Sequence, residues 1–456
     1  MIYKNDTIVA LATPVGVSSV AMIRVSGPCA VSNVEKIFKG KTPPSSLKGY
    51  TMAQGMIIDP VLKEEIDQVV IGIFKAPKSF TGEDVVEITG HGGFVLPQKI
   101  LELLIKNGCR LAEPGEFSKR AFLNEKLDLS QAESLHDIIT LPTLAGSQLA
   151  LANLKKDFFH SFLPLKENIL SLLSKAEAQL DYPEEEMQTL TDSDNLLFNK
   201  VLNQIQDFIQ GGEQARKLAL GYKVVLIGKT NVGKSSLLNF LAGQEKAIVS
   251  SIHGTTRDRI EVELNLLGLP VIVTDTAGIR LKADNEIEEY GILKSQESLK
   301  EADFILWVLD ATTGLTQKDL DILKLLSHKP FLTLVNKSDV KTLNSQELDK
   351  VKNLNPLFIS CKTGENIHLV KEAIKNHLQN INHQTSSFYI NQRQHEVLIR
   401  IQDSLLEAEK TFLQEEHLEL TAFFLRKALQ GFSEIMGNDV QDDVLSYIFS
   451  HFCVGK

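Results

Sequence analysis

At 456 residues, with 43% hydrophobic and 23% charged side chains, the chain is too long for one core and too balanced for a disordered or fibrous protein. Two or three domains are expected. A net charge of −10 excludes a chain dominated by nucleic-acid binding but leaves room for a local basic patch. No apolar run reaches spanning length and the N-terminus lacks a charged-then-apolar leader. Cys29, Cys109, Cys361 and Cys453 are scattered without zinc or redox spacing, so a cytoplasmic protein without membrane association is expected.

The first segment, about residues 1–118, reads as a compact α+β domain. Ile8–Thr13, Val20–Val25, Val69–Phe74 and Val85–Thr89 are strand-like. Helices are expected over Ala30–Phe38 and Leu96–Asn107, the second closed by Gly108 as a left-handed cap. Turn residues in Ser79-Phe80-Thr81-Gly82-Glu83-Asp84 and Gly90-His91-Gly92-Gly93 bracket the Glu87 strand. Arg24 and Glu87, each inside an apolar strand, are either an ordinary ion pair or the base and acid of a polar pocket.

From Glu116 the pattern turns helical, and residues 119–219 read as the first part of an all-α domain. Ser130-Gln131-Ala132-Glu133 has the form of a capping box with Ser130 as N-cap. Leu165, Ile169, Leu172, Leu173, Ala176 and Leu180 make an apolar stripe, and after an acidic loop Val201, Ile205 and Phe208 make another. The stripes return over residues 381–456 at Val397, Ile401, Leu405 and Phe412, and at Leu425, Leu429 and Phe432. Each flank alone is thin on buried surface, so one bundle interrupted by an inserted domain is expected rather than two helical domains.

The insertion, residues 220–380, carries the chemistry. A β-branched run, Lys223–Ile227, leads into Gly228-Lys229-Thr230-Asn231-Val232-Gly233-Lys234-Ser235 and then a helical stretch. That order is the context a phosphate loop needs: glycines open the backbone, N–H groups and the helix N-terminus face phosphate, Lys234 supplies charge and Ser235 a hydroxyl for Mg²⁺. Further on come Gly254-Thr255-Thr256, then Asp275-Thr276-Ala277-Gly278 after the strand Pro270–Thr274. Asn336-Lys337-Ser338-Asp339 follows the strand Phe331–Val335, and Ser360-Cys361-Lys362 lies beyond. A carboxylate at Asp339 accepts both N1–H and N2–H₂ of guanine, which adenine does not offer, so GTP is selected over ATP. Together these features are those of a Ras-like P-loop GTPase.

The position that carries a water-orienting glutamine in many GTPases is Ile279 here. Another group must orient water, with Asp284, Glu286, Glu288 and Glu289 as the nearby acids, although such a run also reads as a solvated face. Asn231 either tolerates the loop geometry or ligates a K⁺ ion that meets the charge developing on the phosphates. Spacing favours Thr256 over Thr255 as the second protein ligand of Mg²⁺.

The whole chain resembles the MnmE (TrmE) family of bacterial tRNA modification GTPases. The resemblance is carried by Asp6-Thr7-Ile8-Val9-Ala10, by the 79–84 and 90–93 motifs, by Pro114-Gly115-Glu116-Phe117-Ser118-Lys119-Arg120-Ala121-Phe122-Leu123-Asn124, and by the terminal Phe452-Cys453-Val454-Gly455-Lys456. It implies a dimerising N-terminal domain that holds a tetrahydrofolate donor, 5,10-methylene or 5-formyl, at Arg24, Glu87, Lys126 and Lys456. It implies that GTP is contacted by Asn231, Val232, Gly233, Lys234, Ser235 and Ser236, by Ser250, Ser251, Ile252, His253, Gly254, Thr255 and Thr256, by Asp275, Thr276, Ala277 and Gly278, and by Asn336, Lys337, Asp339, Ser360, Cys361 and Lys362. Mg²⁺ falls to Ser235 and Thr256, and K⁺ to Asn231, Ser250, Ile252 and Thr255. Glu288 matches the water-orienting glutamate, with one extra residue in Leu281–Asn285 that shifts the alignment, and Cys453 falls in the family's terminal Cys-x-Gly-Lys, which implies a catalytic role. The residues alone also admit a buried bundle cysteine or a lipidation site, for which Lys456 is a poor terminal residue.

The resemblance further implies a homodimer and a heterotetramer with the FAD protein MnmG, together installing a 5-carboxymethylaminomethyl-type group on the wobble uridine of certain tRNAs. Val454, Ser250 and Cys361 depart from the family's usual Ile, Thr and Ala. A ribosome-assembly or signalling GTPase whose first domain only docks partners is the alternative, and folate binding discriminates the two.

Overall fold

A computed structural model describes residues 6–155, 157–181, 192–243, 260–267, 269–275, 299–326, 329–340, 352–380, 389–413, 418–437, 440, 442–452 and 455. These fall into two compact units: residues 1–137, 153–202 and 396–456 in the first, and 138–152 with 203–395 in the second.

The first unit opens with β1 (Ile8–Leu11), β2 (Val20–Ser26), α1 (Ala30–Glu35), β3 (Phe38–Gly40), β4 (Thr51–Ile58), β5 (Glu65–Phe74), β6 (Val85–His91), α2 (Val95–Lys106) and β7 (Arg110–Leu111). The strands form one sheet in the order β3-β4-β5-β6-β2-β1-β7. All neighbours are antiparallel except β1 and β7. Val9, Ile23, Val25, Ile71, Val86 and Ile88 share a core with Val34 of α1 and Ile100 and Leu104 of α2. Because side chains alternate along a strand, Arg24 and Glu87 project from the other face, and they stand directly opposite one another in the β2–β6 register. Gly108 takes φ +105° beyond α2, as its place in the sequence predicts. The first helix is shorter than expected: Lys36 caps it, and Phe38 instead begins β3 against Ile57.

Next come α3 (Glu116–Leu123), α4 (Leu129–Thr140), α5 (Leu144–Leu154), α6 (Asp157–Asp181) and α7 (Asp192–Leu220). The cap of α4 is not Ser130. Asp128 and Gln131 exchange the reciprocal bonds, Gln131 N–H to Asp128 Oδ1 at 2.8 Å and Asp128 N–H to Gln131 Oε1 at 3.1 Å. Ser130 and Glu133 lie inside the helix and are buried. Helices before and after the insertion meet: Phe162 of α6 stacks on Phe432 of the helix Leu418–Met436 at 4.3 Å, and Phe198 of α7 on Phe412 of the helix Gln392–Leu413 at 5.5 Å. One bundle built from both flanks results, as the paired stripes predict.

The second unit holds β8 (Tyr222–Ile227), α8 (Lys234–Gly243), β9 (Ile260–Leu266), β10 (Leu269–Asp275), β11 (Phe304–Asp310), β12 (Phe331–Asn336) and β13 (Leu357–Phe358), in the order β13-β12-β11-β8-β10-β9. Only β9 runs antiparallel to its neighbour. Val224 and Leu226 pack with Leu237 and Leu241 of α8 and Ile374 of the helix Ile367–Asn380. Val225 and Ile227 pack with Ile322 and Leu326 of the helix Gln317–Leu326. Burial on both faces explains why β8 and β11 read as unbroken apolar runs, the mark of a doubly wound parallel sheet.

Candidate functional site

The loops after β8, β11, β12 and β13 all leave the carboxyl ends of parallel strands, where open α/β sheets bind ligands. After β8, Gly228 and Gly233 take φ +155° and +102°, and Asn231 takes φ +63°. A Cβ on Gly228 would clash with the Val308 carbonyl, and one on Gly233 with the Asn336 amide. Only glycine permits this close wrapping. Lys234 at the start of α8 is buried, and its Nζ donates to the carbonyls of Gly228 and Lys229 at 2.9 and 2.8 Å. Its ammonium thus closes a ring with the loop at the positive end of a helix, a ready anion cradle. Val232 is buried beneath the loop, while Asn231, Ser235 and Ser236 are exposed.

The later loops are bonded to that cradle. The buried Asn336 donates from Nδ2 to the Val232 carbonyl at 2.8 Å and accepts the Cys361 N–H at 3.1 Å. Lys337, at φ +68°, donates from Nζ to the Asn231 carbonyl at 3.1 Å and pairs with Asp310 at 2.6 Å. Burial pushes the Asp310 carboxyl up, but Lys337 and Thr312 outweigh it and hold the group below its ordinary range. Ser360 donates to Asp339 Oδ1 at 2.7 Å and accepts N–H groups of Lys362 and Thr363. Asp339 is exposed, with Oδ2 unbonded among the described residues, so the carboxylate is oriented but open. Burial and the Asp339 charge raise the Cys361 thiol to about 11, leaving it neutral and its backbone the useful part. Asp275 ends β10, in register with Leu226 of β8. Asn231–Ser236, Asn336, Lys337, Asp339 and Ser360–Lys362 are therefore brought to one sheet edge. Ser250, Ser251, Ile252, His253, Gly254, Thr255, Thr256, Thr276, Ala277, Gly278 and Glu288 lie outside the described residues.

In the first unit, Arg24 donates from Nε and Nη2 to Glu87 Oε1 at 3.0 and 2.8 Å, and from Nη1 to the Gly455 carbonyl at 3.0 Å. Its guanidinium lies 5.7 and 5.8 Å from the ring centroids of Phe80 and Phe117. Arg24 and Glu87 thus form an ion pair, which stands in a half-buried aromatic setting with Glu87 Oε2 unbonded among the described residues. Gly455 packs so tightly on Leu11 and Ala12 that a Cβ would overlap them. Lys126 donates to the Pro77 carbonyl at 3.0 Å and flanks Gly82. Cys453 and Lys456 lie outside the described residues.

Sequence reasoning misses the charged network next to this pair. Arg120, 4% exposed, pairs with Asp6, Glu83 and Glu116 at 2.6, 3.2 and 3.0 Å. Arg110 joins Asp6 at 2.7 Å and also pairs with Glu116. Ser26 donates to Glu83 at 2.7 Å, and Asn124 donates to the Thr81 carbonyl at 2.7 Å. Burial alone raises the Asp6 and Glu116 carboxyls, yet both end below their ordinary values because the two arginines bond them. The motifs around residues 6, 79–84 and 114–124 are thus three parts of one assembly.

Residues 7–126 match the family model described as the GTP-binding protein TrmE N-terminus, and residues 129–453 match that of the MnmE helical domain. The chain belongs to the MnmE family of tRNA modification GTPases. Curated relatives span nearly its whole length. The tRNA modification GTPase MnmE of Desulforamulus reducens is 39% identical over 99% of this chain and 100% of its own. Those of Carboxydothermus hydrogenoformans and Acetivibrio thermocellus are 38% and 37% identical, over 99% and 100% of this chain and 100% of each relative. The G domain of the T. maritima FeoB iron transporter matches 35% of this chain and 98% of its own at 27% identity, with a TM-score of 0.28. Among the described residues no helix is long and apolar enough to cross a membrane.

Proposed function

We propose that this MnmE-family member binds and hydrolyses GTP at the β8–α8 cradle and uses the turnover to drive modification of the wobble uridine of certain tRNAs. The observation that carries the reading is the convergence on one sheet edge of a lysine-closed phosphate loop with the Asn336, Asp339 and Ser360 loops. Amides of residues 229–234 and Lys234 Nζ hold the phosphates; Asp339, oriented by Ser360, reads guanine. The exposed Ser235 hydroxyl on the first turn of α8 suits a hard cation, so Ser235 with Thr256 would hold Mg²⁺. Asn231, exposed and left-handed beside the cradle, with Ser250, Ile252 and Thr255, would hold K⁺. When bound, these cations neutralise charge building on the phosphate oxygens. Glu288 orients the attacking water in place of the glutamine this chain lacks.

The first unit is the proposed folate site. Arg24, Glu87, Lys126 and Lys456 hold a tetrahydrofolate donor, 5,10-methylene or 5-formyl. Support comes from an unbonded carboxylate oxygen on Glu87 and two aromatic rings around Arg24, which suit a flat ring bearing N–H donors. That donor supplies the one-carbon unit, and Cys453 serves the transfer. The proposed working form is a cytoplasmic homodimer that joins MnmG in a heterotetramer with the tRNA. Its proposed domains are 1–118, 119–219, 220–380 and 381–456.

GTP turnover in K⁺ should exceed that in Na⁺, and Asn231→Ala should abolish the difference; equal rates in the wild type would remove K⁺ from the reading. Calorimetry with 5-formyltetrahydrofolate should show binding to the wild type and none to Arg24→Ala. A silent wild type would instead favour a switch protein whose first domain only docks partners.

A further inference from the structure

The phosphate loop contains two lysines with opposite orientations. Lys234 bonds the loop's own carbonyls, whereas Lys229 leaves the loop to pair with Asp319 at 2.8 Å and donate to Thr316 Oγ1 at 3.2 Å. Thr316 and Asp319 cap the helix Gln317–Leu326: Asp319 Oδ2 accepts the Thr316 N–H at 2.8 Å and its hydroxyl at 2.7 Å. Asp319 is wholly buried, and its Oδ1 has no partner among the described residues. A buried carboxylate satisfied on one oxygen depends on its cation, and at a helix N-terminus it is held firmly in place.

Lys229 is therefore gripped from both ends. Its side chain is fixed to Asp319, and its carbonyl accepts Lys234 Nζ at 2.8 Å. Two residues on, the Asn231 carbonyl is held by Lys337, itself paired with Asp310. Asp310 and Asp319 bound the same segment, from the end of β11 to the first turn of the next helix. We infer that Lys229 and Asp319 form a clamp that fixes the phosphate-loop backbone, and through the Lys229 carbonyl the Lys234 ammonium, in the position that receives the nucleotide phosphates. Both are positioning residues for GTP. The inference rests on reading residues 228–235 as the GTP cradle.

The test uses the full chain, with GTP affinity by calorimetry and steady-state KM and kcat for Lys229→Ala, Lys229→Arg, Asp319→Asn and the Lys229→Ala/Asp319→Asn double variant. Lys229→Ala and Asp319→Asn should each weaken GTP binding about tenfold, the effect of a lost charge-assisted bond. The double variant should be no weaker than the weaker single one, Lys229→Arg should recover most of the affinity, and preference for GTP over ATP should persist. Additive losses, or singles that bind GTP like the wild type while only their melting temperature falls, would overturn the clamp. Should Asp319→Asn not fold, the Lys229 pair decides by itself. Lys234→Ala separates the two claims. If it leaves GTP binding intact, the cradle reading fails; if it abolishes binding while Lys229→Ala does not weaken it, only the clamp fails.

Discussion

In the six-stranded sheet the motif residues stand in loops beyond the strand ends: buried Lys234 and Asn336 bond backbone, Lys229 and Lys337 are held by buried Asp319 and Asp310, and the Asp339 carboxylate is left oriented and exposed. In the seven-stranded sheet the motif residues turn on one another: Arg120 is shared by Asp6, Glu83 and Glu116. A run of polar motif residues therefore does not by itself mean a ligand. In one sheet it builds a receptacle, and in the other it mainly ties three distant segments together beside the smaller Arg24 site.

Breaking the assembly in the seven-stranded sheet should have the largest effect. Arg120→Leu leaves three carboxylates around a 4%-exposed position and should cost about 3–5 kcal/mol of stability, measured by urea unfolding. GTP turnover per folded molecule should not change; a near-wild-type midpoint would show that the network is not structural. On the other side, Lys234→Ala removes the cradle's buried cation and should cut GTP turnover by about 100- to 1000-fold with little change in melting temperature. Equal losses of stability from both substitutions would erase the contrast. Asp339→Asn should shift preference from GTP toward xanthosine triphosphate by about 100-fold in relative affinity, and unchanged selectivity would contradict the role given to Asp339.

The smallest effect concerns a carboxyl with no arginine paired to it among the described residues. Burial, and then the charge of Glu133, push Asp137 up to about 7. The folded state thus holds a proton that the unfolded chain releases from about pH 4 upward, so stability falls between about pH 4 and 7 and is flat above. Asp137→Asn should raise stability at pH 8 by on the order of 2 kcal/mol, with the gain gone at pH 4. A gain independent of pH would show that Asp137 is ionised in the fold.

The nucleotide site was legible because each of its parts is local. An apolar run such as Lys223–Ile227 or Phe331–Val335 predicts a buried strand, and the residues that follow it are the ones brought together at the sheet edge. The clamp was half legible, since Thr316-Gln317-Lys318-Asp319 has the form of a capping box, but its use by Lys229 required the fold. The strand Thr51–Ile58 escaped because Met, Ala, Gln and Gly have little strand preference and only Ile57 of its residues is buried. The α4 cap went wrong because two overlapping boxes compete, and the one beginning at Asp128 wins while Glu133 is buried. The Arg120 assembly joins positions more than a hundred residues apart, and no periodicity encodes such a meeting.

The most direct measurement of the account is the nucleoside profile of tRNA from cells lacking this protein, complemented with the wild-type chain or with Lys234→Ala. The aminomethyl-type group at C5 of the wobble uridine should disappear in the deletion, return with the wild type and stay absent with Lys234→Ala. An unaltered wobble-uridine profile in the deletion, or full rescue by Lys234→Ala, would contradict a cradle whose GTP turnover drives the modification.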